Sequence, residues 1–305
     1  MWKQLIYGRS VAEQLDKLVL YGMNRQVPAS LETSYHVAPQ LDTVLAQTQV
    51  NRKETAVYAL SSPGEHAVWL DSPLGPLRCR VRVRPAVDPK APLLIYHPGF
   101  NELPYTSSWG RIFSGNVLFP FHTICIQAPY HEKWGEPLTK GFASVAGIYQ
   151  IFAGSLRIMQ VMQDLFEREG AAYTVLAGIS WGGITSMLRE GMFQRSQAVI
   201  TMLSSPRLSL AMQGIADMFA RETAVSREEM QSLLDFTPYY EQCSPDKLFP
   251  LLGEYDMFFP MDKHATVFAE RPLTTVTGGH ITTMWQAPIL REHIMRVMRQ
   301  QPSLS

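Results

Sequence analysis

The stretch Tyr173-Thr174-Val175-Leu176-Ala177-Gly178-Ile179-Ser180-Trp181-Gly182-Gly183 decides how the rest of the chain is read. An apolar run ends in Gly178-x-Ser180-x-Gly182, and a helical pattern follows at once. Strand, very tight turn and helix in that order make a nucleophile elbow. The turn strains the backbone at Ser180, and Gly178 and Gly182 leave room because neither carries a Cβ. The Ser180 hydroxyl then stands clear of the sheet above a helix N-terminus. A bare G-x-S-x-G arises by chance in about one chain in ten of this length. Its weight therefore comes from context: a buried-type strand before it, a helix after it, and chemical partners downstream in a fixed order. The competing reading is a glycine-rich strand-to-helix turn with a solvated serine.

Working outward, the runs Leu93–Tyr96, Thr123–Ile126, Thr174–Ala177, Ala198–Leu203, Leu248–Leu252 and Leu273–Val276 are near-continuously apolar and alternate with helical patterns. That alternation predicts a mostly parallel central sheet with helices on both faces. One helix spans about 143–169, with Ile148, Phe152, Leu156 and Met159 on one face and Gly170 to end it. Another starts at the elbow. The last covers about 287–300, with Leu290, Ile294, Val297 and Met298 sharing a face. Pro250 within a strand pattern predicts an irregularity there. Ahead of these, Ala56–Leu60, His66–Leu70 and Leu77–Val83 read as short strands separated by turn signals, an antiparallel start to the sheet. In the third, Arg residues alternate with apolar ones, so one face is wet.

Two regions stand apart. Residues 1–55 read as an N-terminal helical extension packed on the core, which is residues 56–305. Ser10 and Glu13 have capping-box spacing, and Val11, Leu15, Leu18 and Val19 share a face. A homodimer contact or a membrane-surface contact is the alternative use of that face. Residues 206–246 exceed what a simple crossover needs and read as a small helical cap, with Ser226 and Glu229 at capping-box spacing. Its Met and aromatic residues are either ordinary core contacts or an adaptable surface for an acyl or aryl group.

The chain has 305 residues, 46% of them hydrophobic, enough for one large domain or one domain with an insertion. Lys+Arg and Asp+Glu both number 27, and no basic patch stands out, which argues against a nucleic-acid partner. Cys79, Cys125 and Cys243 have no ligand spacing. They fit a reducing compartment, with Cys125 a small buried hydrophobe. The N-terminus lacks the pattern of a signal peptide, and no segment reaches bilayer-spanning length. The expectation is a soluble, cytoplasmic protein.

A serine hydroxyl needs a base within hydrogen-bond reach, and the base needs a third group to hold its tautomer. Downstream of Ser180 stand His264, His280 and His293. His280 follows the last strand in Thr277-Gly278-Gly279-His280, where two glycines permit a tight loop at the C-terminal edge of the sheet. His293 has a surface-like setting in mid-helix, and His264 lies just past Pro260. His280 is the expected base. Asp256, on the loop leaving the Leu248–Leu252 strand, is the expected acid, with Glu254 in the same turn as the alternative and Asp262 beyond Pro260 less well placed. The order Ser180, Asp256, His280 is then serine, acid, histidine. For the oxyanion, the amide of Trp181 is one candidate donor, and the loop His97-Pro98-Gly99-Phe100-Asn101 supplies the second from Phe100 or Asn101. Asn101, Tyr130 and His131 are candidates for the substrate pocket, the latter two on the loop Ala128–Gly135. No metal site and no cofactor are indicated.

Taken together, Gly178-Ile179-Ser180-Trp181-Gly182-Gly183, Gly253-x-x-Asp256 with Pro260, Gly279-His280 and His97-Pro98-Gly99-Phe100 resemble the α/β-hydrolase superfamily over about residues 56–305. The nearest likeness is to esterase-like members related to dienelactone hydrolases and the α/β-hydrolase domain-containing proteins. Dienelactone hydrolases usually carry Cys where Ser180 stands, so this chain departs from them. The resemblance implies an α/β-hydrolase fold and a serine hydrolase that cleaves a carboxylic ester of a small molecule through an acyl-enzyme. Acyl transfer, thioester cleavage or peptide cleavage would use the same triad, and a non-catalytic ligand-binding member of the fold is a further alternative.

Overall fold

Four runs of sequence that are apolar at nearly every position become the middle of one sheet, because such runs can bury both faces at once. In the computed structural model, which describes residues 8–26, 40–114, 119–220 and 225–302, the strands are β1 (Gln49–Val50), β2 (Gly64–Asp71), β3 (Leu77–Arg84), β4 (Leu93–His97), β5 (His122–Gln127), β6 (Thr174–Ile179), β7 (Ala198–Met202), β8 (Leu248–Gly253) and β9 (Thr274–Val276). They form one sheet in the order β1-β2-β3-β5-β4-β6-β7-β8-β9. Pairings from β1 to β5 through β2 and β3 are antiparallel, and all those from β5 to β9 are parallel. Every residue of β4, β5, β6 and β7 is buried. β3 instead alternates, its Leu, Cys and Val residues buried and its Arg residues more exposed, which is the pattern of a strand with one wet face.

The helices are α1 (Arg9–Gln26), α2 (Leu41–Gln47), α3 (Ser107–Ile112), α4 (Val145–Glu169), α5 (Trp181–Phe193), α6 (Leu208–Met218), α7 (Arg227–Leu234), α8 (Thr237–Tyr240), α9 (Met261–His264), α10 (His280–Met284) and α11 (Ala287–Gln300). The period of two in a strand splits the core into layers. Leu93 and Ile95 of β4 join Leu176, Val199 and the helices α4 and α5 through Phe152, Met159 and Ile184. Leu94 and Tyr96 join Val175, Ala177 and Ile200 on the opposite layer, closed by Trp109 of α3 and by Leu290, Ile294 and Val297 of α11. Each such side chain taken fully out of water contributes about 1.5–3 kcal/mol, so the two layers together supply the main driving force for the sheet. α4 begins where the Ser144 hydroxyl accepts from the Gly147 amide at 3.0 Å and ends at Gly170, whose φ of 112° is open to glycine.

Three expectations change. Ala56–Leu60 is not a strand: Val57–Ala59 forms a short 3₁₀ turn with Tyr58 87% exposed, and the edge of the sheet is taken by Gln49–Val50 instead. Strand propensity has no effect where no neighbouring strand is in reach. β8 runs unbroken through Pro250, which pairs with Thr201. β9 begins only opposite Leu251, so Pro250 borders an open side of the ladder, where a residue without an N–H is tolerated. In α1 the buried positions are Ala12, Asp16 and Leu20, while Val11 and Leu18 are 48% and 66% exposed. No capping box forms at Ser10; Glu13 pairs with the Arg9 guanidinium at 2.8 Å. At Ser226 and Glu229 the box does form in both directions. Of the expected extension, residues 1–7 and 27–39 lie outside the described residues, as do 221–224 of the expected cap.

The elbow imposes a tight steric test. A Cβ on Gly182 would lie 2.0 Å from the His97 carbonyl oxygen, whereas one on Gly214 in α6 would meet nothing within 4 Å. Gly182→Ala is expected to cost about 1–3 kcal/mol or to block folding, and Gly214→Ala to be neutral or stabilising by up to about 1 kcal/mol. Urea denaturation midpoints check both.

Candidate active site

Ser180 sits between β6 and α5 with φ 55° and ψ −120°. A residue with a Cβ rarely adopts this conformation, and such strain costs of the order of 1–3 kcal/mol. Packing holds it in place. The Ser180 amide donates to the Met202 carbonyl at 2.8 Å, tying the elbow to the end of β7. A Cβ on Gly178 would lie 2.1 Å from the Gly182 oxygen, and one on Gly183 would lie 2.1 Å from Ser204 Oγ. Glycine at 178, 182 and 183 is what lets the first turn of α5 settle onto the ends of β4 and β7.

Asp256 leaves the end of β8 buried, and both of its oxygens are engaged. Oδ1 accepts from the Phe258 and Phe259 amides at 2.8 and 2.9 Å, and Oδ2 accepts from His280 Nδ1 at 2.8 Å. With Nδ1 donating, Nε2 of the neutral ring is the free acceptor, the form a general base requires. Phe258 stacks on the imidazole with centroids 4.3 Å apart. Burial acts to lower the His280 pKa, but the charge and hydrogen bond of Asp256, with Asp16 beyond, outweigh it and carry it above the ordinary imidazole value. Glu254 is exposed, and its amide bonds the Val276 carbonyl. Of the other histidines, His264 is buried edge-on to Phe259, with no hydrogen-bond partner for its ring among the described residues. His293 is not at the surface: it is buried, with its ring on the Phe249 carbonyl and Arg296, and its pKa is lowered to about 4 by burial.

Ser180 and His280 line the same cleft, a cavity of about 460 Å³. Its walls are almost wholly apolar. α1 contributes Leu18, Val19 and Met23, and α6 contributes Leu208, Met212 and Ile215. Phe100, Phe142 and Trp181 also line it and pack on one another, and Trp181 stacks on Phe152 at 4.0 Å. Asn101 lines the cleft with φ 56°, and its Oδ1 accepts from the Gly135 amide at 2.9 Å. Tyr130 and His131 stand outside the lining. The Tyr130 hydroxyl donates to Gln150 Oε1 at 2.6 Å, and the His131 ring packs edge-on behind Phe100 at 5.3 Å. Within residues 206–246, α6 borders the cleft, while α7 and α8 are not among its lining elements.

Glu102 and Asp16, which the sequence pattern did not single out, are further groups at the site. The Glu102 carboxylate lies in the cleft wall and accepts from the Gly99 amide at 3.3 Å and from the Ser108 amide, so it pins the loop after β4. Asp16 is 0% exposed and accepts from the amides of Met257, His280 and Ile281. A carboxylate on an otherwise amphipathic helix reads as a solvated residue; only the unusual direction of the buried face could have signalled it. Beside the elbow, buried His97 donates from Nδ1 to the Pro98 carbonyl at 2.9 Å and accepts from Ser155 Oγ at 3.1 Å. Its pKa is lowered to about 4 by burial, so it is a neutral structural group. Among the described residues no group of three or more His, Cys, Asp and Glu side chains could hold a metal ion. Among them, too, no helix is long and apolar enough to cross a membrane.

No family model and no curated protein matches the chain by sequence. Solved structures do match by fold. The acetyl xylan esterase from Paenibacillus sp. R4 aligns at 15% identity and TM-score 0.54, over 93% of this chain and 99% of that one. Est1E from Butyrivibrio proteoclasticus, solved with ferulic acid, aligns at 15% identity and TM-score 0.52, over 74% and 96%. The acylaminoacyl peptidase of Pyrococcus horikoshii aligns at 13% identity and TM-score 0.54, over 81% of this chain but only 44% of that one. With the sheet order and the strand-to-helix elbow, these likenesses show that the chain has the α/β-hydrolase fold.

Proposed function

We propose that this chain is a serine hydrolase that cleaves a carboxylic ester with an apolar acyl or aryl group. The observation that carries the reading is the buried 2.8 Å bond from His280 Nδ1 to Asp256, made by a histidine that shares its cleft with the strained Ser180. In this reading Ser180 Oγ attacks the ester carbonyl and passes its proton to His280 Nε2. Asp256 holds the tautomer and stabilises the imidazolium. The Trp181 amide opens α5, so it has no intrahelical partner and is one oxyanion donor. The Gly99 amide is occupied by Glu102, and the Phe100 amide, with that of Asn101 as the alternative, is the second donor. His280 then protonates the leaving alcohol, and a water activated by the same nitrogen releases the acyl group. The apolar cleft supports an acyl or aryl substituent over a sugar or a charged peptide, since unpaired polar groups would be costly to bury there. The esterases among the fold neighbours agree with the reading.

A fluorophosphonate probe is expected to label the wild type at one serine and to leave Ser180→Ala unlabelled, with nitrophenyl ester hydrolysis lost in the variant. Full hydrolysis by Ser180→Ala would sink the proposal, and acyl-thioesters and aminoacyl amides run alongside would show whether the ester is preferred. Asp256→Asn should lower kcat by the order of 10⁴-fold, because an amide can favour the wrong tautomer of His280. The base must be neutral, so kcat/KM should fall as pH drops through the raised His280 pKa. The acidic limb then lies above the ordinary imidazole value of about 6.5; a limb well below that value would contradict the assignment.

A further inference from the structure

We propose that Asp16 is a positioning residue for the catalytic histidine, a carboxylate delivered by α1 that fastens the loop carrying His280 to the loop carrying Asp256. The inference rests on the triad reading of Ser180, Asp256 and His280.

The contacts are specific. Asp16 Oδ2 accepts from the His280 amide at 2.7 Å and from the Met257 amide at 3.1 Å, and Oδ1 accepts from the Ile281 amide at 2.9 Å. His280 and Ile281 open α10, whose first N–H groups have no partner within the helix. A helix is ordinarily capped by the side chain of the residue before it, but here that residue is Gly279, which has none. Asp16 does the capping from another part of the chain. The choice of glycine and the arrival of the carboxylate are coupled, since a Cβ on Gly279 would lie 2.8 Å from Asp16 Oδ2.

The third amide gives the cluster its bearing on catalysis. Met257 is the residue after Asp256, so a single oxygen of Asp16 bridges the backbone beside the acid and the backbone of the base. That bridge sets the separation across which His280 Nδ1 meets Asp256 Oδ2. It also sets where the ring stands relative to Ser180. Asp16 is an ionisable group sealed from water; burial raises its pKa above the ordinary carboxylate value, and the amides it accepts from offset part of that cost. His280 faces Asp256 from the β8 loop and Asp16 from α1, and Asp16 faces His280 and Asp256. The helix that carries Asp16 also presents Leu18, Val19 and Met23 to the cleft, so part of the cleft wall and the residue that aims the base are on one element.

The test uses the full chain with Asp16→Asn, which keeps the shape but removes the charge and one acceptor. Active sites are titrated with a fluorophosphonate, and kcat is expressed per titrated serine. The expected result is a fall in kcat of about 10²-fold, the cost of a catalytic group displaced by about 1 Å, with KM nearly unchanged. The acidic limb of kcat/KM should move to lower pH, since Asp256 alone then faces the ring. Leu20→Ala, buried in the same helix but not part of the cleft lining, should lose stability while keeping kcat per titrated serine. An Asp16→Asn enzyme with wild-type kcat per titrated serine and an unmoved limb would overturn the proposal, as would a Leu20→Ala enzyme that reproduces its loss. Should Asp16→Asn fail to fold, the wild type decides: the amide protons of Met257, His280 and Ile281 should report one shared carboxylate titration by NMR, and independent behaviour would overturn the proposal. A wild type that takes no fluorophosphonate sinks the triad reading itself, whereas a labelled wild type with an unaffected Asp16→Asn variant sinks only the role of Asp16.

Discussion

At Gly182 the first turn of α5 lies against the carbonyl of His97, so close that a Cβ there would sit 2.0 Å from the oxygen. That approach places the helix over the ends of β4 and β6, in the middle of the sheet, and the geometry of Ser180 follows from it. The serine is held at φ 55° because its amide is tied to β7 on one side and the following turn is pressed onto β4 on the other. Strain of this kind persists only where the surroundings over-determine it. Here the surroundings are parallel strands buried on both faces, with α4 and α5 on one side and α3 and α11 on the other.

The loops at this edge of the sheet are held in a common way. Backbone amides that have left the ladder need acceptors, and buried or half-buried carboxylates supply them. Glu102 serves the loop after β4, Asp256 the loop after β8, and Asp16 the start of α10 together with Met257. Each carboxylate is expensive to bury alone and becomes tolerable by accepting several N–H groups, which in turn fixes those loops. Rigid loops are what a preorganised oxyanion site and an aimed imidazole require. Asp256 alone of these also hydrogen-bonds a titratable ring, and its charge and hydrogen bond, with the charge of Asp16, raise the pKa of His280 against the effect of burial.

Much of this was legible in the chain. The strands from Leu93 to Val276 announce themselves because burial on both faces demands continuous apolar runs, and the elbow because only glycine survives at its crowded positions. The preference for His280 over His264 and His293 rested on its loop position after a strand, and the structure brings His280 alone of these to the cleft of Ser180. The His293 pattern misled because a carbonyl and an arginine can satisfy an imidazole inside the protein as well as water can at its surface. Val11 and Leu18 misled for the opposite reason: hydrophobic periodicity cannot anticipate a helix whose buried line runs through a carboxylate.

By itself, then, the sequence determined the layered parallel sheet, the elbow at Ser180 and the loop positions of His280 and the carboxylates before it, because each is written in local patterns of burial, glycine and loop position. Tertiary structure alone decided which acid meets His280, that Tyr130 and His131 stand outside the cleft lining, and that α1 lines the cleft and carries Asp16 to α10. The physical reason is sequence distance. Asp16 and the amides it binds are separated by 241 to 265 positions, and no local pattern records which donors a buried carboxylate will find once the chain has closed around it.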